Sequence, residues 1–167
     1  MNLLLINHKL TYSSTTSYSI ELALALKERG HEVRICTAGG ELRDRFQDAG
    51  IETYQVKFNF FSFRKLIQFL RNFNPDIVHV QNLRSLPMGQ KIAEHLNKSH
   101  IVTVHHVPTP HIHAELKHDM LAGVIAVNEA IRESLVNVQM ISKNLIRVVR
   151  TLSLIHISEP TRRTPIS

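Results

Sequence analysis

Residues 74–80 read Asn74-Pro75-Asp76-Ile77-Val78-His79-Val80. Pro75 has no backbone N–H to give a helix, so a helix arriving from upstream stops before it. The short, mostly β-branched run that follows suits a strand buried on both faces of a parallel sheet. Helical patterns flank that strand. Upstream, Phe63, Leu66, Ile67, Leu70 and Phe73 recur at helical spacing, with Arg64, Lys65 and Arg71 turned outward. Downstream, about Met88 to Lys98 predicts a second helix.

The same alternation continues to both ends. Leu3 to Ile6 predicts a first strand, then a helix runs from about Tyr18 to Arg29 with Ile20, Ala23, Leu24 and Leu26 packed inward and Gly30 as its stop. Val33 to Thr37 is a second strand, Ala38-Gly39-Gly40 a turn, Glu41 to Ala49 a helix closed by Gly50, and Ile51 to Val56 a third strand. Ile101 to Val104 is a fifth strand, Gly123 to Val127 a sixth, Glu129 to Val136 a helix and Leu145 to Val149 a last strand. The fold class is therefore α/β: a Rossmann-like parallel sheet with helices on both faces, joined by right-handed crossovers. Ligands of such sheets bind beyond the C-terminal strand ends. Loops at such ends run from Asn7 to Ser17, His79 to Arg84 and His105 to His118.

A chain of 167 residues that is 43% hydrophobic and 20% charged suits one globular domain with a real core. Its single cysteine excludes an internal disulfide framework and points to a reducing compartment. Cys36 lies mid-strand, where cysteine behaves as a small apolar side chain rather than a nucleophile. Met1 to Asn7 carries no basic leader, and its apolar run is too short to span a bilayer, so a cytoplasmic location is expected. The formal charge of +6 is scattered over many segments. With no aromatic platform among basic residues and no recognition-helix motif, nucleic acid is the weakest partner. Phe58, Phe60, Phe61 and Phe63 with Lys57, Arg64 and Lys65 offer either a core face or contact with an anionic membrane, and burial preference favours the core.

The loop after the first strand, Asn7 to Ser17, has no glycine, which argues against a nicotinamide or flavin dinucleotide site. It still runs into a helix N-terminus, where Ser13, Ser14 and Thr15 either cap the helix or meet a phosphate or sugar hydroxyl. His105 and His106 follow the fifth strand, at a place suited to donating hydrogen bonds to a ligand. His79, Gln81, Asn82 and Asn128 are candidates for the cleft lining, with His79 equally readable as a core histidine. His105, His106, His111, His113 and His118 invite a zinc reading, but no cysteine or regular carboxylate spacing supports one, and no metal is expected.

Taken together, these segments resemble the N-terminal domain of family 4 glycosyltransferases, enzymes of the two-domain GT-B fold. Ser13 to Ala23 aligns with the family's Gly-Gly loop and first helix, and Leu26-Lys27-Glu28-Arg29-Gly30-His31-Glu32-Val33 looks like its R-G-H-E-V signature. Asn74 to Val80 looks like its P-D-I-V-H strand, Val102-Thr103-Val104-His105 like its T-x-H strand end, and Gly123 to Leu135 like its V-S-E strand and helix. The resemblance covers residues 2 to about 151. It implies transfer of a sugar from a nucleotide-sugar co-substrate to a glycan or lipid-linked acceptor, with retention and without a metal or other cofactor. It puts His105 at the transfer centre and Ser13 and Ser14 where backbone approaches donor phosphates. The donor would sit chiefly in a C-terminal half, so the chain is expected to be inactive alone. Peripheral contact with the inner membrane face is compatible with this reading.

The sequence departs from the family pattern where Ser13-Ser14 replaces Gly-Gly, Gln81 stands at a frequent histidine position and Asn128 replaces a common serine. Ser13-Ser14 keeps open a non-catalytic module that binds a carbohydrate or nucleotide. A fragment of a GT-B sugar-nucleotide epimerase is a further alternative. From Leu152 the text changes character: Leu152 to Arg162 resembles a translated transposase-end sequencing adapter. The expected organisation is a domain over residues 1–151 and an artefactual tail over 152–167.

Overall fold

The computed structural model describes residues 1–56, 62–108, 116 and 119–150, together with the backbone of residues 60 and 61. Strands β1 (Asn2–Asn7), β2 (Glu32–Thr37), β3 (Glu52–Gln55), β4 (Ile77–Val80), β5 (His100–Val104), β6 (Leu121–Ala126) and β7 (Ile146–Val148) form one sheet in the order β3-β2-β1-β4-β5-β6-β7. Every neighbouring pair is parallel. Helices α1 (Ser14–Glu28), α2 (Arg43–Asp48), α3 (Phe60–Phe73), α4 (Leu86–Leu96) and α5 (Glu129–Asn137) connect them. The order reverses between β1 and β4, which makes their C-terminal ends the place where a crevice opens. The Rossmann-like reading of the sequence is the fold observed.

Side-chain parity explains the layers, because successive residues of a strand face opposite sides. Leu5, Val33 and Ile35 form one buried cluster with Ala23 of α1 and Phe46 of α2. Leu4, Ile6, Cys36, Val78, Val80, Val102, Val104, Val124 and Ala126 face the other side, against Leu66 and Leu70 of α3, Ile92 of α4 and Leu135 of α5. Cys36 is fully buried, as expected of a small apolar residue, and burial pushes its thiol pKa up. The predicted stripe on α3 is also the observed one: Leu66, Ile67, Leu70 and Phe73 are buried, Phe63 is half-buried, and Arg64, Lys65 and Arg71 are exposed. Phe63 packs its ring edge-on to His95 at 5.1 Å. The side chains of Phe58, Phe60 and Phe61, the histidines His111, His113 and His118, and the tail over 152–167 lie outside the described residues.

Element ends shift where capping was not read. α1 begins at Ser14, a full turn before the predicted start, because Ser13 caps it. Its inward face is Thr16, Ser19 and Ala23, whereas Leu24, expected inside, is 39% exposed. α4 begins at Leu86 with Pro87 in its first turn, directly after a 3₁₀ turn over Leu83–Ser85, and ends at Asn97 in a left-handed conformation (φ 52°). No described helix is long and apolar enough to cross a membrane.

α4 lies unusually close to the sheet at Gly89, where a Cβ would collide with Val80 Cγ2 in the buried core. Gly89→Ala is therefore expected to lower stability by about 1–3 kcal/mol despite alanine's better helix propensity. The check is a lower urea midpoint with an unchanged slope; a midpoint equal to or above that of the parent would mean α4 can retreat at no cost.

Candidate functional site

The C-terminal ends of β1, β4 and β5 lie together where the strand order reverses, and polar residues stand there: Asn7 ends β1, Gln81 follows β4 and His105 follows β5. Asn7 is 1% exposed and Gln81 is fully buried. Such groups must find partners inside the protein. Asn7 Nδ2 donates to Ser19 Oγ (3.2 Å), and Asn7 Oδ1 accepts from Asn82 Nδ2 (2.8 Å). Ser19 Oγ also lies 2.8 Å from the Thr15 carbonyl and 3.2 Å from Gln81 Oε1. Asn82 Oδ1 accepts from both the backbone N–H and the hydroxyl of Ser85 (2.9 and 2.8 Å), starting the 3₁₀ turn that leads into α4. One network thus joins β1, α1 and the loop after β4.

The loop between β1 and α1 is pinned from its other side. Leu10 is fully buried, its N–H donates to the Gly39 carbonyl (2.8 Å), and its carbonyl accepts from Leu42 N (2.9 Å). Gly40, with φ of 134°, passes so close that any Cβ would strike the Leu10 backbone. The loop then enters α1 through Ser13, whose Oγ accepts from Thr16 N (3.2 Å) and lies 3.1 Å from Thr16 Oγ1. Ser13 has φ −154° and ψ 156°, extended backbone open to any residue, so serine is unstrained where the resemblance puts glycine. Ser14 and Thr15 form the first turn of α1, Ser14 exposed and Thr15 half-buried. Helix geometry leaves first-turn N–H groups without carbonyl partners inside the helix.

On the α1 side of β4 and β5 the parity of the strands places His79 and Thr103. His79 is 3% exposed and Thr103 fully buried, and His79 Nε2 lies 2.8 Å from Thr103 Oγ1. Burial, and then the proximity of His105, lower the His79 pKa to about 3. Tyr18 of α1 hydrogen-bonds the Thr103 side chain; burial raises its pKa more than that bond lowers it. The Tyr18 ring meets the His105 ring edge-on, with centroids 5.2 Å apart and planes at 73°.

His105 is half-buried and takes up a hydrogen bond with the Gln81 backbone. The Gln81 N–H is already given to the Ile6 carbonyl (2.8 Å), so the carbonyl is the group His105 faces, and a carbonyl only accepts. His105 Nε2 is buried and has no partner among the described residues, which leaves Nδ1 as the donating nitrogen. Burial and the nearby His106 lower the His105 pKa to about 4, outweighing the upward pull of the Gln81 bond. The neutral ring with its proton on Nδ1 therefore presents Nε2 as an acceptor. Gln81 Nε2 is a second buried nitrogen with no partner among the described residues.

The other predicted lining residues are more peripheral. His106 is exposed beside His105. Asn128 is exposed and caps α5, accepting from Ile131 N at 2.9 Å, a task that serine does equally well. Sequence reasoning gave Tyr18 and Ser19 no part in the site, and carried Asn7 only as the start of a candidate loop and Thr103 only within the T-x-H resemblance. The signal for Thr103 was available: it breaks an apolar strand at the parity that His79 also occupies. His8 at the same mouth has its pKa lowered by burial and then by Arg84 and Lys9. Among the described residues no group of three His, Cys, Asp or Glu could hold a metal ion.

A family model for Glycosyltransferase Family 4 matches residues 15–151. No curated protein matches the sequence significantly. Among solved structures, Anabaena HepE in complex with UDP-glucose superposes with a TM-score of 0.75 at 13% identity, over 90% of this chain and 43% of that one. A glycosyltransferase from Rickettsia africae gives 0.71 at 22% identity, over 89% and 42%. The lipopolysaccharide outer core galactosyltransferase WaaB gives 0.65 at 16%, over 99% and 50%. At these identities the likeness is one of fold, and the chain spans half or less of each of these proteins.

The two lowered histidines couple stability to pH. Folded pKa values of about 3 and about 4 lie below histidine's ordinary value of about 6.5, so between roughly pH 6.5 and pH 4 the unfolded chain binds protons that the folded chain refuses. Stability from this source is complete above pH 6.5 and falls as pH drops, by up to about 1.4 kcal/mol per pH unit for each ring. Urea midpoints measured at pH 7 and pH 5 should show a clear decrease at the lower pH; equal midpoints would mean that both rings protonate freely in the fold.

Proposed function

The chain belongs to glycosyltransferase family 4, and from that premise we propose that residues 1–151 are the acceptor-side half of an enzyme that moves a sugar from a nucleotide-sugar to a glycan or lipid-linked acceptor. The observation that carries this reading is His105: a neutral imidazole after β5, next to the switch point, whose Nε2 has no partner among the described residues. A buried acceptor left unpaired is costly, and a sugar hydroxyl supplies the missing donor. Nε2 would accept that hydroxyl's hydrogen bond and hold the transferred sugar in line. At neutral pH the ring has no second proton to give, so in this role it orients the sugar and steadies charge as the glycosidic bond breaks.

The first turn of α1 complements it. The Ser14 and Thr15 backbone N–H groups, at the positive end of a helix, suit a donor phosphate, and Ser13 keeps its own hydroxyl for the cap. His79, Gln81, Asn82, His106 and Asn128 line or support the crevice. HepE was solved with UDP-glucose, which supports a nucleotide-sugar as the co-substrate here, with no further cofactor or metal in the scheme. The donor grip would come from a second half. The remaining elements of the proposal are a cytoplasmic enzyme that meets the membrane only peripherally, and a tail over 152–167 that is not native.

Three measurements test this. The chain alone should transfer no sugar from UDP-glucose; turnover by the purified chain would refute the half-site reading. Millimolar UDP-glucose should shift the backbone resonances of Ser14, Thr15 and His105 in ¹⁵N spectra, and His105→Ala should remove the part of that response that UDP alone does not cause. Shifts confined to residues far from the strand ends would count against the site. Sequencing the source DNA across the Thr151 codon should reveal a continuing frame with a second α/β domain, and a genuine stop after Ser167 would contradict the assignment of the tail.

A further inference from the structure

We infer that Tyr18 is a positioning residue for His105, tethered for that task through Thr103 to His79. Its catalytic meaning rests on the glycosyltransferase reading; its geometry does not. A threonine hydroxyl has one proton and two lone pairs, so Thr103 serves two partners at once. One is His79 Nε2, 2.8 Å away and itself buried under α1. The other is the Tyr18 hydroxyl. With the phenol held at its tip, the ring edge is fixed against His105 at 5.2 Å and 73°.

The tether is needed because His105 has only one hydrogen bond of its own among the described residues. The Gln81 carbonyl fixes Nδ1 but leaves the ring free to swing about that contact, since Nε2 has no partner. Tyr18 blocks the swing from the α1 side. Its own backbone is immobilised by the next residue, Ser19, which is anchored to Asn7 and Gln81. His79 and Thr103 thus act at a distance from the reacting atoms. They set a phenol, the phenol sets an imidazole, and Nε2 stays aimed and unprotonated.

The competing explanation is that Tyr18 only fills space, in which case phenylalanine would do as well. The two are separated by long-range ¹H–¹⁵N spectra of the full chain labelled at histidine nitrogens, recorded at neutral pH without any sugar. The parent should show His105 as one tautomer, with the proton on Nδ1. Tyr18→Phe keeps the ring and loses the tether, and it should move both His105 nitrogens toward the averaged values of a free imidazole. Thr103→Val should do the same, while Thr103→Ser should keep the parental pattern. Unchanged His105 nitrogens in both Tyr18→Phe and Thr103→Val would overturn the inference. No sugar is involved, so a negative result here is distinct from failure of the glycosyltransferase reading. Thr103→Val changes a buried site, and Tyr18→Phe carries the test should that variant not fold.

Discussion

β1 is flanked by β2 and β4 and covered on both faces, so the amide of Asn7 at its end cannot be solvated in the ordinary way. A buried amide without partners costs about 1–3 kcal/mol per unpaired group, and the protein meets that demand by drawing two other elements onto it. Ser19 arrives from α1 and Asn82 from the loop after β4. Those bonds fix where α1 starts, hence where its N-terminus points. They also fix where the chain turns after β4, hence where the Gln81 carbonyl faces His105. The arrangement of these strand ends thus answers the need to satisfy one side chain.

For the proposed sugar transfer the consequence is preorganisation. Hydrogen-bonding groups that are oriented before a ligand arrives cost no rearrangement when charge develops. Gln81 offers His105 a carbonyl, Tyr18 offers it a ring edge, and burial keeps it neutral. None of these partners is a carboxylate, and the pull of the Gln81 bond toward the imidazolium is outweighed by burial and by His106. A carboxylate in place of the Gln81 carbonyl would raise the ring's pKa and turn the acceptor into a cation.

Much of the fold was legible because period and punctuation agree. Pro75, Gly30 and Gly50 stop helices that precede β-branched runs, and right-handed crossovers then leave few topologies. Helix starts were less legible. Several Ser and Thr residues precede α1, any of which could cap, and only packing chooses Ser13. The place of His105 after a strand was legible, whereas its protonation was not, because that depends first on burial by elements distant in sequence. Thr103 and His79 were each visible as polar residues in apolar runs. Their contact follows from register between two strands, Val80 opposite Val102, which no single segment carries.

Ser13 also bears on how such sequences diverge. Its extended backbone makes no demand for glycine, and its hydroxyl is occupied within the helix cap. A change from glycine to serine at such a position leaves the path of the chain unaltered and adds a local bond, so it can drift in without selection noticing. A diagnostic pattern that insists on paired glycines filters on the letter and overlooks the dihedral. Descendants that kept the geometry while losing the spelling would be sorted among strangers.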